Sequence, residues 1–154
     1  MTNAPGSTGP VPLVRFAHGD DAAIVALLVG SADAAMMTFR GGDVLRDEVP
    51  SVHFAPTHDG VVWLVAEVSG AVIGVLTMRV EAGTATVERV FVEPAARGHG
   101  AGDALVATAS AEARRRGASR IDGWALPGDR ETKNLYERNG LTARAIIASR
   151  DLTN

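Results

Sequence analysis

The stretch Val90-Phe91-Val92-Glu93-Pro94-Ala95-Ala96-Arg97-Gly98-His99-Gly100-Ala101-Gly102-Asp103-Ala104-Leu105 limits what this chain can fold into more than any other. It reads as an apolar strand, a proline that stops it, a glycine-rich loop and the start of an apolar helix. Such a junction aims unpaired backbone N–H groups and the positive end of a helix dipole at one point, which suits phosphate oxygens. Gly98, Gly100 and Gly102 let the backbone approach an anion closely. Arg97 adds a guanidinium able to grip a phosphate through two donors. At His99 the expected contribution is the backbone N–H rather than the ring. Two other phosphate motifs fail here. A dinucleotide G-x-G-x-x-G requires glycine where Asp103 stands, and a P-loop requires Gly-Lys-Ser/Thr, whereas the single lysine is Lys133.

Hydrophobic periodicity places the loop in an alternating strand and helix order. An edge strand is expected over 11–17, then a helix capped by Asp20 or Asp21 with Ile24, Leu27 and Leu28 on one face. A second short helix follows Ser31 and ends near Arg40. Residues 43–60 contain Pro50, Pro56, His53 and His58 without a clean period and read as an irregular connection, a common setting for binding loops. Strands follow over 61–68, 72–80 and 84–92, with Ser69-Gly70 as a turn. On the strand over 84–92, alternation puts Val87, Arg89 and Phe91 on one face and Glu88, Val90 and Val92 on the other. A helix over 103–116 uses Leu105, Ala109 and Ala113 and closes at Gly117. A strand over 119–126, a helix over 131–139 and a last strand over 141–149 complete the order. This is an α/β or α+β pattern without repeats, read as one domain over 11–154 behind a flexible leader, residues 1–10.

Composition removes whole classes of function. Apolar residues at 46% and charged residues at 21% describe a globular chain. The absence of cysteine excludes disulfides, thiolate metal sites and a cysteine nucleophile, and fits a reducing, cytoplasmic setting. A net charge of −3 provides no general attraction to nucleic acid or anionic membrane. Arg114-Arg115-Arg116 falls in a last helical turn, where cations complement the dipole. His53, His58 and Asp59 lack the spacing of a metal site, so no metal is expected. The single lysine among the basic residues suggests a GC-rich bacterial genome.

Arg97-Gly98-His99-Gly100-Ala101-Gly102 fits R/Q-x-x-G-x-G/A, and Asn134-Leu135-Tyr136-Glu137-Arg138-Asn139-Gly140-Leu141 fits Leu-Tyr-x-x-x-Gly-Phe with leucine in the last place. With both segments in this setting, the chain resembles the GNAT superfamily of N-acetyltransferases over roughly residues 11 to 150. The resemblance implies a mixed, mostly antiparallel sheet of six to seven strands with about four helices, splayed between the strands before and after the loop helix. It implies acetyl-CoA as co-substrate, held by Phe91, Val92, Arg97, Gly98, His99, Gly100, Ala101, Gly102, Asp103 and Asn134. The asparagine usual seven residues before the tyrosine is here Asp129, which leaves that contact open.

By the same resemblance, backbone N–H groups of the splayed strand polarise the acetyl carbonyl, and Tyr136 is the general acid. A phenol of pKa about 10 is protonated at neutral pH and able to share its proton with a departing thiolate. Glu88 is the candidate base, with an ion pair to Arg89 or Arg79 as its alternative role. Trp124 either lines the acceptor pocket or fills the core. The acceptor is an amine, drawn from small molecules or peptides. Homodimers are common among similar proteins, and nothing in the sequence demands one. A catalytically weak acyl-CoA-binding or regulatory module is the alternative function, and a ligand-free interaction domain requires both segments to be coincidences.

Overall fold

The computed structural model describes residues 9–55 and 60–153; Pro56, His58 and Asp59 lie outside them. Five strands form one sheet in the order β1-β2-β3-β4-β5: Leu13–Phe16, Val61–Val68, Ala71–Glu81, Thr84–Val92 and Arg120–Gly123. β1 to β4 are antiparallel neighbours and β5 joins β4 in parallel. The helices are α1 (Ala22–Met36), α2 (Gly42–Glu48), α3 (Ala101–Arg115) and α4 (Arg130–Arg138). No helix among the described residues is long and apolar enough to cross a membrane.

β2 reads as an unbroken apolar run because both of its faces are covered. Val62, Leu64 and Ala66 pack with Leu105, Val106 and Ala109 of α3. Val61, Trp63 and Val65 pack on the other side with Val25, Leu28 and Val29 of α1. Ser69 and Gly70 join β2 to β3 with φ of 51° and 81°, the left-handed pair that matches the twist of a tight hairpin. α3 buries the expected stripe of Leu105, Ala109 and Ala113 and closes on Gly117.

Four expectations change. Helix α1 runs through Ser31 to Met36, because Ala32 to Met36 keeps good helix formers and Ser31 tolerates an interior place. Its buried stripe is Val25, Leu28, Val29 and Ala32, while Leu27 faces solvent. The second helix is instead α2, inside the segment read as irregular. It buries little beyond Leu45, so its charged residues hide the period. The sheet has five strands among the described residues, not six to seven. β5 ends at Gly123 rather than 126, and residues 141–149, expected as a strand, pair with no strand.

The fourth change matters most. Thr77 pairs with Arg89 but Met78 pairs with Val87, so Glu88 is an extra residue, a β-bulge. Beyond it the alternation inverts. Val87, Val90 and Val92 share the α3 face, whereas Phe91 packs toward α1. The grouping of Val87 with Arg89 and Phe91 is therefore wrong, because simple period-two counting runs straight through the bulge.

Candidate functional site

The bulge coincides with the place where the sheet opens. β4 and β5 pair from Thr84↔Arg120 to Val87↔Gly123 and then part. A cleft of about 840 Å³ begins there, walled by β4, α1, the glycine loop and α4. Past the bulge the β4 backbone has a partner on one side only among the described residues. The Glu93 N–H bonds to the Ile73 carbonyl of β3 at 2.8 Å. Alternation then turns the peptide groups of Val90 and Val92 toward the gap, with that of Phe91 in the β3 ladder.

At the far end of the gap lies the loop. Gly98 and Gly100 adopt φ of 83° and 86°, where a side chain is strained, and Gly100 is the N-cap of α3. The first helical bond runs from the Ala104 N–H to the Gly100 carbonyl, 3.0 Å. Among the described residues, no backbone N–H from 98 to 103 finds an acceptor within the chain. Loop and helix end thus present a run of donors with the helix dipole behind them. Gly102 faces α4, where a Cβ would stand 3.2 Å from Leu135.

Arg97 is held over this end. Its Nε donates to the Val92 carbonyl at 2.8 Å, its guanidinium lies 5.3 Å from the Phe91 ring centre, and Glu131 pairs with it at 2.5 Å. Phe91 therefore contributes its ring, while Val92 contributes backbone. Asp103 turns its carboxylate to α4, accepting from Asn139 Nδ2 at 2.8 Å and Arg138 Nε at 3.2 Å, which leaves its N–H for the loop. Asp129 caps α4 by accepting from the Thr132 N–H at 3.1 Å. Asn134 lies exposed on the cleft wall, which Ala101 and the loop glycines also line. His99 is exposed and does not contribute to that wall.

Tyr136 projects from α4 to the mouth of the splay and is only 7% exposed. Burial pushes its phenol well above the ordinary range, the nearby Asp129 charge adds to this, and the Trp124 backbone N–H opposes it. Its ring lies against Gly123: a Cβ there would stand 2.6 Å from Cζ and 2.8 Å from the hydroxyl. Gly123 was not legible as a site residue, since its only signal is a contact with a side chain in a later element. Trp124 is 40% exposed and lines the cleft rather than the core.

Glu88 also reaches the cleft wall, but its carboxylate accepts from Arg79 Nε at 2.9 Å. The neighbouring Arg89 is buried. It bonds Asp33 of α1 at 2.6 Å, the Val49 carbonyl at 2.6 Å and the Glu88 carbonyl at 2.7 Å. Asp33 in turn accepts from Ser51 at 2.8 Å. This network fastens the bulge to α1 and to the chain after α2, and it too went unseen in the sequence.

No curated protein matches the sequence significantly. The aminoglycoside N-acetyltransferase AAC(6')-Iy, solved in complex with CoA, superposes with a TM-score of 0.70 at 15% identity, covering 95% of this chain and 98% of that one. A ribosomal-protein-alanine N-acetyltransferase from Brucella melitensis gives 0.65 at 22% identity, with 94% and 99% covered. The aminoglycoside acetyltransferase meta-AAC0020 from an uncultured soil metagenomic sample, in complex with sisomicin, gives 0.67 at 14%, with 93% and 96% covered. These likenesses establish the fold. The sequence of residues 33–141 matches the family described as Acetyltransferase (GNAT) family, and the chain belongs to that family.

Proposed function

We propose that the protein is an acetyl-CoA-dependent N-acetyltransferase that moves the acetyl group directly to a primary amine of a small molecule or a peptide. The observation that carries this reading is the parting of β4 from β5 after Val87↔Gly123, with the donor-rich loop at one end of the gap and Tyr136 at its mouth. The loop N–H groups of residues 98–103 and the Arg97 guanidinium suit a pyrophosphate. The peptide groups of Val90 and Val92 suit an extended pantetheine chain laid along β4 as an added strand. An N–H in that row is placed to donate to a thioester carbonyl as its oxygen gains charge.

When bound, acetyl-CoA supplies the activated acyl group. The chain's own residues handle the protons. As the new C–N bond forms and the C–S bond breaks, the Tyr136 hydroxyl gives its proton to the departing sulfur. The amine proton leaves to a base or to water. Glu88 is the candidate base, acting from the edge of the cleft in competition with Arg79. Glu88 is the bulged residue, at the point where β4 leaves the regular sheet.

The test is acetylation of an amine panel by wild type and Tyr136→Phe, monitored through released thiol. Loss of a positioned general acid lowers kcat by about 10²–10⁴, with acetyl-CoA binding retained. Because burial holds the phenol protonated, the wild-type rate rises with pH as the amine deprotonates and shows no falling limb below about pH 10. No turnover by the wild type despite tight acetyl-CoA binding favours the regulatory module instead.

A further inference from the structure

Among the described residues, every carboxylate on the cleft wall is already committed. That wall carries Glu88, Asp103, Asp129 and Glu131. Glu88 accepts from Arg79, Asp103 from Asn139 and Arg138, and Asp129 from the Thr132 N–H, while Glu131 pairs with Arg97. A substrate with several ammonium groups therefore finds no carboxylate to spare. Taking one from its partner leaves a guanidinium unpaired or a helix uncapped. The cations of the wall are committed as well. Arg97 and Arg138 serve the loop end, and buried Arg89 is taken up by Asp33, the Val49 carbonyl and the Glu88 carbonyl. An amine that also carries a carboxylate has no cation to meet it at the acceptor end.

What that end offers is apolar. Trp124 follows Gly123 directly, so it stands where β5 parts from β4, with much of its ring surface uncovered. Met36, Phe39, Leu45 and Leu126 line the cleft with it. The chain after α1 also touches the chain after β5. A Cβ on Gly128 would stand 3.7 Å from Phe39 Cδ1, and one on Gly41 would stand 3.8 Å from Leu126 Cδ2. These contacts close the cleft between the two connections and leave a pit rather than a groove for a polypeptide to run through.

We propose that the acceptor is a small primary monoamine with an aryl or alkyl body, seated in this pit against Trp124, and that Trp124 sets the specificity. This specificity rests on the acetyl-transfer reading above. The amine nitrogen takes the acetyl group and loses one proton, and CoA leaves as its thiol. One nitrogen toward Glu88 and the thioester, with an apolar body behind it, disturbs none of the committed ion pairs.

Steady-state acetylation of phenylethylamine, ethylamine, spermidine and an unblocked hexapeptide tests this. Isothermal titration of the same amines into the CoA-saturated protein accompanies it, both at about pH 9 to populate the free amines. The expected kcat/KM for phenylethylamine exceeds that of the other three by about tenfold or more, and the titrations give the same order. Trp124→Ala raises KM for phenylethylamine about 10–100-fold, with kcat changed far less. Its acetyl-CoA affinity stays that of the wild type, which shows that the variant is folded. A higher kcat/KM for spermidine or the hexapeptide, or an unchanged KM in Trp124→Ala, overturns the proposal and leaves acetyl transfer in place. Binding in the expected order without turnover of any amine supports the ligand class of the pit and overturns the transfer reading instead. Phenylethylamine neither bound nor acetylated overturns the proposal outright.

Discussion

Gly123 carries no Cβ because the Tyr136 ring occupies the space where one would be. Its φ is not left-handed, so the need for glycine comes from packing and not from backbone conformation. Tyr136 itself was legible from its local Leu-Tyr setting, as were Arg97 and the loop glycines, because each belongs to a short contiguous pattern. Gly123 was not, since its constraint comes from a helix further along the chain. Gly123→Ala forces the ring to move and costs about 1–3 kcal/mol of stability as overpacking, read from denaturant unfolding. If Tyr136 is the acid, kcat falls at least about tenfold in this variant, with acetyl-CoA affinity retained. The double variant with Tyr136→Phe is then no slower than Tyr136→Phe alone. Simple multiplication of the two rate losses contradicts a positioning role.

Among the elements, the β4 bulge organises the site, and it was invisible in the sequence. Thr84 to Val92 alternates plausibly in either register, and no glycine marks Glu88 as the inserted residue. The structure holds the bulge through buried Arg89, whose partners Asp33 and Val49 come from segments far away in the chain. Such long-range pairing leaves no periodic trace. Asp33 retains 28% side-chain exposure whereas Arg89 has 3%, so the two halves of the pair are unequal. Asp33→Ala strands a buried guanidinium and costs on the order of 3 kcal/mol. Arg89→Met leaves a carboxylate that water and Ser51 still reach, so it costs less in the same thermal or urea unfolding measurement. Equal losses, or a larger loss at Arg89, contradict this account of the network.

At the scale of the whole molecule, two ion-pair clusters lie away from the cleft, one tying β1 to β2 and to the start of α1, the other within the last turn of α3. Arg15 on β1 holds the Asp21 carboxyl at about 2, and Arg115 with Arg116 holds that of Glu112 at about 2. Both carboxyls titrate lower in the folded state than their ordinary values of 3.8 and 4.5. Their stabilisation is therefore present above those ordinary values and is lost as pH falls toward about 2. Asp21→Asn and Glu112→Gln each destabilise by ~2 kcal/mol at neutral pH, and the gap from wild type closes between pH 4 and 2 in acid unfolding curves. A gap independent of pH contradicts the assignment. The general order of strands and helices was legible because the central strands and α3 bury uninterrupted or periodic apolar sets. The final strand expected over 141–149 pairs with no strand among the described residues, because its sequence specifies strand geometry without specifying which edge receives it. In the proposed function, the loop at residues 97–103 and the parted strands receive acetyl-CoA. Isothermal titration tests it most directly, with acetyl-CoA, NADH as comparator, and the partly exposed Arg97→Ala as the variant. Saturable micromolar binding of acetyl-CoA is expected, with none of NADH, and roughly 10–100-fold weaker binding without the Arg97 guanidinium. Absence of acetyl-CoA binding by the wild type, or equal binding of NADH, contradicts it.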